Sequence, residues 1–416
     1  MHRTTGRREG KLGILFLIFI GMFFLMSTSV DVQAAEELKI GVIAPLTGGA
    51  GPIGQSQLAG AKVAAMHINE DGGILGRKVV IVERDTAYSP ATGIKVARDL
   101  MMNEKIKFFT GVASSAVGLA VAPLMEEMDG VLIIAAAQTE KLTGINCNPH
   151  VFRICTNAVA IVKASAKFAV ERYPKIKRWG GICPDYEYGH STWDNFSKEL
   201  KRLDPSVTII PSHFPKVGSA SFEAEILKLL EEKPEAIYSS LFGADFITFV
   251  KQAKKYKLFD TIKVIINHSI ETEVATPLGF DMVDVWGGGH YNYQAYNNAI
   301  NTRFVEGHKK LFNTVPAYAS SESYSAVYAY KYAIEKAKSF ESKAVIKALR
   351  GLSFDSVTGK RTIKAEDHQA VQNGILTHFV PSSDAPGWKI VEFYTFSNAP
   401  FLPKISDPEG GCKMKW

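Results

Sequence analysis

From residue 38 onward, short apolar runs alternate with stretches whose apolar residues recur at helical spacing. LKIGVIAPL is followed by such a helical stretch, and KVVIVERD by a helix from about Ser89 to Asn103. This alternation is typical of a parallel sheet that is covered by helices on both sides. The pattern restarts after HVFRIC with a helix from about Asn157 to Tyr173. The sequence therefore predicts an α/β protein with two similar lobes and a cleft between them.

The N-terminus has the pattern of a secretory signal peptide. Four basic residues precede the apolar run LGILFLIFIGMFFLM, and small residues follow around DVQAA. We expect cleavage near Ala34 or Ala35, so that residues 1–34 form the signal peptide and the mature protein lies in the periplasm. An uncleaved membrane anchor is the alternative, although the apolar run is short for a membrane span.

Charge and cysteine spacing exclude several classes of partner. The formal charge of the chain is +6, and four basic and two acidic residues before position 35 account for +2 of it. Lys and Arg are interspersed with Asp and Glu, which disfavours a nucleic-acid partner. No two of the four cysteines have CxxC spacing and no histidine lies at ligand spacing from them, so we predict no metal site and no cofactor. In an oxidising compartment the cysteines could form two disulfides, with three connectivities.

The stretch IKFFTGVASSAVGLAVAPLMEEM predicts an anion site. Its apolar start suits a buried strand, and its second half has helical spacing, so Ser114 and Ser115 come where a strand ends and a helix begins. Backbone N–H groups and the positive end of the helix dipole favour a carboxylate at such a junction. The alternative is that one serine only caps the helix.

Further candidate residues follow from the rule that ligands bind at the carboxyl ends of the strands in such sheets. The rule indicates the loop after Pro45, which contains Ile53, and the residues that directly follow four other apolar runs: Ala136 to Thr139, Asp185 to Tyr188, Phe242 and His268. Six aromatic residues fall at predicted strand ends or in the loops after them. Two roles are open for them: packing in the core or rim, or lining an apolar pocket with polar tips. They are Tyr186, Tyr188, Phe242, His290, Tyr291 and Tyr293.

Two enzyme readings have weak support in the sequence. GGAGPIG has the GxGxxG spacing of a dinucleotide loop, but its first glycine comes several residues after the strand, and no acidic residue is evident at a second-strand terminus about 20 residues further on. A hydrolase triad that uses Ser114 and His268 lacks the GxSxG turn of a nucleophile. We therefore expect a protein without catalytic activity, with a secreted enzyme as the alternative from a different class.

Several segments together resemble a known family. LKIGVIAPLTG, INEDGGILGRKV, TGVASSAV, LIIAAAQTEKLTG, VFRIC, PDYEYGHS and SYSAVYAYKYAIEKA are similar, in this order, to the periplasmic substrate-binding proteins of ABC importers. The branch is that of the leucine/isoleucine/valine-binding proteins. The resemblance covers nearly the whole mature chain and depends on no single motif.

The resemblance implies a type I fold with three crossovers between the lobes, in which the closed, loaded protein docks on a membrane permease. It implies that each lobe is discontinuous in sequence: the first lobe would comprise residues 36–155 and 284–352, the second 156–283 and 353–400, and 401–416 would form a tail. A serine that grips the ligand carboxylate corresponds to Ser114 or Ser115, and a tyrosine before glycine to Tyr188.

Three departures from the family pattern bear on the ligand. A threonine that helps to hold the ligand corresponds to Gln138, with Thr139 next, and an aromatic residue of the second lobe is present as Phe242, without a hydroxyl. The acidic residue that pairs with an amino-acid ammonium group corresponds to His268, which does not replace a carboxylate in that role. The resemblance thus indicates a small organic acid, with an aromatic carboxylate favoured, and a branched-chain or other amino acid or amide as the alternative.

Relatives that bind aromatic acids are similar in NCNPHVFR and in the terminal GCKM, which implies a Cys147–Cys412 disulfide and leaves Cys155 and Cys183 as a second pair near the cleft. A ligand sensor of the same fold is a further alternative to a transport protein. From the strand-end rule and the resemblance together, the predicted ligand-binding residues are Ser114, Ser115, Ala136, Gln138, Thr139, Tyr188, Phe242, His268, Ile53 and Tyr291.

Overall fold

The first of two parallel sheets is built by the N-terminal part of the chain, in a computed structural model that describes residues 1, 2, 4, 36–406 and 411–414. All five strands are parallel, in the order β2-β1-β3-β4-β5. The strands are β1 (Leu38–Ala44), β2 (Val79–Asp85), β3 (Phe108–Gly111), β4 (Val131–Ile134) and β5 (Val151–Arg153). The helices between them are α1 (Gly51–Glu70), α2 (Pro90–Asn103) and α3 (Ser115–Glu127).

The second sheet repeats this strand order and extends it by two strands. Its order is β15-β14-β10-β9-β8-β6-β7, in which only β14 and β15 are antiparallel to their neighbours. The strands are β6 (Arg178–Ile182), β7 (Thr208–His213), β8 (Ala236–Ser239), β9 (Val264–Asn267), β10 (Val285–Gly287), β14 (Asn373–Pro381) and β15 (Trp388–Ser397). The helices are α4 (Ala158–Arg172), α5 (Glu187–Leu203), α6 (Glu223–Glu232), α7 (Gly243–Lys255) and α8 (Thr272–Leu278). The predicted two-lobe α/β fold is confirmed.

Local sequence explains where these elements begin and why they are buried. Every residue of β4, Val-Leu-Ile-Ile, is buried, as expected for a strand with helices on both faces of its sheet. Helix α2 begins after Ser89, whose hydroxyl accepts the Thr92 N–H at 3.4 Å, and α4 begins after Asn157, whose side chain accepts the Ala160 N–H at 2.8 Å. These caps satisfy backbone donors that the helix itself leaves free.

The C-terminal third of the chain divides between the lobes differently from the prediction. Strand β10 pairs with β9 in the second sheet, so the chain returns to the first lobe after Gly287 and not at residue 284. Residues 353–371 form a small antiparallel sheet whose Phe354 and Ile363 belong to the core of the first lobe, so the second boundary at 353 is also wrong. The elements of this region are α9 (Ala299–Phe312), α10 (Tyr318–Ala337), α11 (Ser342–Leu349), β11 (Ser353–Ser356), β12 (Gly359–Ile363) and β13 (Ala370–Val371).

A buried polar network joins the segments that cross between the lobes. The Arg361 guanidinium forms an ion pair with the Glu322 carboxylate, and both side chains are fully buried. Arg361 also donates to the Ile154 carbonyl at 3.3 Å, and the Gln372 amide donates to the Thr156 hydroxyl at 2.9 Å. Because these residues come from different crossings, the network holds the crossing segments in one arrangement.

The structure confirms one disulfide and excludes the other. Cys147 and Cys412 are bonded, with their Cα atoms 5.6 Å apart, so the C-terminal tail is attached to the first lobe. Cys155 and Cys183 are both free and buried, and the second predicted pair is wrong because each thiol lies within the core of a different lobe. The predicted signal peptide and its cleavage site lie outside the described residues. Within the described part of the chain, no helix is long and apolar enough to cross a membrane.

Close packing explains one glycine of GGAGPIG. Gly51 and Gly54 lie in the first turn of α1 and not in a loop. A Cβ atom at Gly54 would come within 1.8 Å of the Pro45 carbonyl oxygen, so glycine lets the helix approach the end of β1 closely. Gly54, the last glycine of the GxGxxG spacing, therefore has a structural reason that involves no nucleotide.

Candidate ligand-binding site

The Ser114–Ser115 junction forms the first-lobe side of the site. Ser114 is the N-cap of α3, is 5% exposed, and its hydroxyl accepts the Val117 N–H at 3.4 Å. Ser115 is the first residue of the helix, and its hydroxyl accepts the backbone N–H of Thr139 at 3.3 Å. Both serines thus lie at the positive end of a 13-residue helix, where an anion is favoured.

A chain of three polar side chains extends from this junction into the second lobe. The Gln138 amide oxygen lies 3.3 Å from Nε2 of His268, and the Gln138 amide nitrogen lies 3.0 Å from Nε2 of His290. In this arrangement His268 donates from Nε2, and Nε2 of His290 accepts. The backbone carbonyl of Gln138 also accepts the N–H of Ala158, at the start of α4. Gln138 is therefore the first-lobe residue around which second-lobe groups gather.

His268 and His290, the two histidines that contact Gln138, are neutral at pH 7. They are 2% and 4% exposed, and burial lowers the pKa of His268 to about 4 and that of His290 to about 3. The Tyr238 hydroxyl lies 3.4 Å from Nδ1 of His268, whereas Nδ1 of His290 is buried without a hydrogen-bond partner in the described part of the chain. The site thus offers neutral polar groups at the position where the family pattern has an acidic residue.

Aromatic side chains of the second lobe gather around Tyr188, which contacts His268. The rings of Tyr188 and His268 are 5.9 Å apart and nearly perpendicular, and Phe242 lies 6.4 Å from Tyr188 on another side. Tyr186 stacks on Tyr188 at 5.7 Å, and the Tyr188 hydroxyl lies 3.4 Å from that of Ser269. These rings form an apolar wall with polar tips, which suits a flat, apolar ligand that carries a polar group.

A tyrosine from the first lobe also reaches the serine junction. Tyr88 follows β2 in a loop where it and Ala87 have left-handed backbone conformations, with φ of 58° and 48°. The Asp85 carboxylate holds this loop by accepting the N–H groups of Ala87 at 2.7 Å and Leu46 at 2.8 Å. Partial burial raises the pKa of Tyr88, whose side chain is still 50% exposed, and the neighbouring Ser114 side chain opposes that rise. Strained backbone of this kind is characteristic of functional loops.

The structure brings most of the predicted residues together. Ser114, Ser115, Gln138, Thr139 and His268 are connected by the contacts above, Tyr188 packs against His268, and Phe242 packs against Tyr188. Ala136 is buried directly before them, between β4 and Gln138.

Two predicted residues are not part of this group of contacts. Tyr291 is 3% exposed in the core of the first lobe, where its hydroxyl donates to the Asn301 side chain at 2.6 Å. The neighbouring residue His290, and not Tyr291, contacts Gln138 in the candidate site. Ile53 is half-buried in the first turn of α1.

Three residues near the junction were missed as ligand-site candidates, and two of them carried a signal. Tyr88 follows a strand end, so the rule that selected the other loops applies to it as well. His290 also follows a predicted strand end but was grouped with the aromatic residues. Arg153, which contacts Thr139, lies within a predicted strand and carried no signal, because its role depends on what packs behind that strand.

Two lobes of equal strand order, with polar and aromatic groups gathered where their strand ends meet, define a two-lobe binding protein. A family model described as periplasmic binding protein matches residues 37–384. This match covers most of the chain, and the protein belongs to the periplasmic binding protein family. Within the described residues, no group of three or more His, Cys, Asp or Glu side chains is placed to hold a metal ion.

The individual relatives of this chain are named with different ligands. Leu/Ile/Val-binding protein homolog 3 of Brucella melitensis is 28% identical over 341 residues, which are 79% of this chain and 88% of that protein. A solute-binding protein of Rhodopseudomonas palustris BisB5, solved with 3,4-dihydroxybenzoic acid, has a TM-score of 0.75 and 21% identity over 87% of this chain and 98% of its own. An R. palustris solute-binding protein solved with benzoate has a TM-score of 0.76 and 19% identity over 91% of this chain and 100% of its own. At these identities the structures show a shared fold.

Proposed function

We propose that the protein is a solute-binding protein that delivers a small organic acid, and in particular an aromatic carboxylate, to the permease of an ABC importer. The observation that carries this proposal is the neutral His268–Gln138–His290 chain. An amino-acid ligand needs an anion beside its ammonium group, and the histidines, whose pKa values are about 4 and 3, provide none.

The opposite end of the site supports a carboxylate. Ser114 and Ser115 present two hydroxyls at the N-terminus of α3, and the Tyr88 side chain is close enough to Ser114 for the two to interact. A carboxylate at this place would accept charge-assisted hydrogen bonds, which are stronger than those of neutral groups. The rings of Tyr186, Tyr188 and Phe242 supply the apolar contact that an aromatic ring requires.

The relatives favour the same class of ligand but also provide an alternative. The solved R. palustris proteins are named with benzoate and 3,4-dihydroxybenzoic acid, whereas the curated relatives are named for leucine, isoleucine and valine. A branched-chain amino acid is therefore the second candidate. A sensor of the same fold would bind the same ligand and differ only in its protein partner.

A thermal-shift screen with benzoate, 4-hydroxybenzoate, leucine and isoleucine tests the proposal. A ligand present at about 100 times its dissociation constant stabilises the folded state by about 2.7 kcal/mol, which raises the melting temperature measurably. We expect both aromatic acids to raise it and neither amino acid to do so. Stabilisation by leucine without stabilisation by any aromatic acid would support the second candidate instead.

We also propose that the protein carries its ligand without changing it and that it acts in the periplasm. The family consists of binding proteins, and the Cys147–Cys412 disulfide suits an oxidising compartment. Mass spectrometry of benzoate recovered after incubation should show an unchanged mass, and a new product would contradict the proposal. N-terminal sequencing of the exported protein should give a start close to residue 35.

A further inference from the structure

Among the described residues, two arginine side chains are fully buried, but their charges are balanced differently. Arg361 forms an ion pair with Glu322, which is itself fully buried. Arg153 is 0% exposed, and in the part of the chain that the structure describes it forms no ion pair with a carboxylate. Because a buried charge without a counter-ion is strongly unfavourable, this difference requires an explanation.

The groups that Arg153 contacts are all uncharged acceptors. Its Nε donates to the Gln369 amide oxygen at 2.5 Å, one terminal nitrogen donates to the Thr143 hydroxyl at 2.7 Å, and the other to the Thr139 carbonyl. These bonds orient the guanidinium but leave its positive charge unbalanced. Among described residues it has three more distant neighbours that can ionise: Cys155, Glu140 and Asp367.

None of these neighbours is a dedicated counter-ion for Arg153. Burial raises the pKa of the Cys155 thiol to about 12, so that group is neutral. The Asp367 carboxylate is paired with Lys364 at 2.6 Å. Glu140 is partly exposed to solvent, which screens its charge.

One residue, Thr139, connects the guanidinium to the serine junction through its two backbone polar groups. The carbonyl of Thr139 accepts from Arg153, and the N–H of the same residue donates to the Ser115 hydroxyl at 3.3 Å. The cation therefore lies directly behind the place where a ligand carboxylate would bind. It holds Thr139 against Ser115 and makes the electrostatic potential at the junction positive.

We propose that Arg153 is a positioning residue that makes the site selective for an anionic ligand over a neutral ligand of the same shape. The carboxylate of the ligand supplies the negative charge that Arg153 lacks. This inference rests on the proposed function, in that it assumes a carboxylate ligand at Ser114 and Ser115.

The test compares benzoate with benzamide, its neutral isostere, by isothermal titration calorimetry on the full mature chain. We expect Arg153→Met to reduce the preference for benzoate over benzamide by about tenfold or more, as loss of a charge interaction in a protein interior would. Arg153→Lys should keep this preference within about threefold while weakening the binding of both ligands, because lysine retains the charge but not the fork of donors. An Arg153→Met variant with the wild-type preference would overturn the proposal.

Arg361→Lys is the matched control, because it alters the other fully buried arginine, which has its own carboxylate partner. Its preference for benzoate should equal that of the wild type. If Arg153→Met does not fold, as judged by circular dichroism, Arg153→Lys decides the question. If Arg153→Lys binds benzoate and benzamide equally well, the positive charge at this position has no role in the preference, and the proposal is contradicted.

The outcome is separable from failure of the proposed function. If the wild type binds leucine and no aromatic acid, the proposed ligand class is wrong. The affinities of the same variants for leucine and leucinamide are then compared. A preference for the carboxylate that depends on Arg153 would then still support the inference, and a preference that does not depend on it would refute it.

Discussion

The amide oxygen of Gln138 lies 3.3 Å from Nε2 of His268, and this contact connects the two lobes at the centre of the candidate site. The partners are 130 positions apart in sequence. A neutral amide next to a neutral imidazole is a stable pair in a buried place, since neither group carries a charge that would have to be desolvated. The contact also decides what the site can bind, because it puts no anion opposite the serine junction.

Replacement of Gln138 by glutamate should change the protonation of the histidines. A carboxylate between His268 and His290 would stabilise the imidazolium form, so the pKa of His268 should rise from about 4 by one unit or more. NMR titration of the imidazole signals measures this shift in Gln138→Glu. His308, whose pKa burial lowers at a place remote from these residues, should titrate as in the wild type. An unchanged His268 titration would contradict the assigned contact.

The stability of the protein should fall in mild acid. Burial lowers the folded-state pKa of His268 to about 4, whereas the unfolded-state value is 6.5, so the unfolded chain takes up the proton first as the pH falls. The contribution of neutral His268 is complete above pH 6.5 and is lost progressively as the pH falls toward 4. When the pH is lowered from 6.5 to 4, the melting temperature should fall less for His268→Gln than for the wild type. A fall of equal size in both proteins would contradict this origin of the pH dependence.

The effect of the two serine hydroxyls on ligand affinity should be separable from the effect of the helix cap on stability. Ser115→Ala and Ser114→Ala should each weaken benzoate binding by about tenfold, the effect of losing one hydrogen bond to a charged group. Ser114→Ala should also lower the free energy of unfolding by about 1 kcal/mol, because it removes the N-cap of α3. Ser89→Ala removes the equivalent cap of α2 and should reduce stability without changing affinity. Calorimetry and denaturant unfolding measure both quantities, and wild-type affinity in both serine variants would remove the serines from the site.

Tyr88 should show a conflict between stability and binding. Glycine at this position tolerates the φ of 58°, and relief of the left-handed strain is worth about 1 kcal/mol, so Tyr88→Gly should raise the melting temperature. The same change removes the hydroxyl that neighbours Ser114 and should weaken benzoate binding, and Tyr88→Phe separates the loss of the hydroxyl from that of the ring.

Lys338→Gly is the control for this experiment. Lys338 has a φ of 51° at the C-terminal end of α10, so its replacement should raise the melting temperature and leave the affinity unchanged. If Tyr88→Gly behaves in the same way, Tyr88 has no part in binding.

Properties encoded in short stretches could be predicted from the sequence. The alternation of apolar runs and helical faces predicts both sheets, and the change from one to the other at Ser114 predicts the start of α3. These predictions succeed because strand and helix periodicity and helix capping depend on residues within one or two turns. The Cys147–Cys412 bridge was implied by similarity to relatives, since the sequence alone permits three pairings.

Only the tertiary structure decided which distant residues meet. It placed β10 in the second sheet, gave His290 and not Tyr291 the contact with Gln138, kept Cys155 and Cys183 apart, and put Arg153 behind Thr139. Two consecutive residues such as His290 and Tyr291 have almost the same sequence context but point to opposite surroundings. Their difference arises from packing between segments that are far apart in the chain, and no local pattern records it.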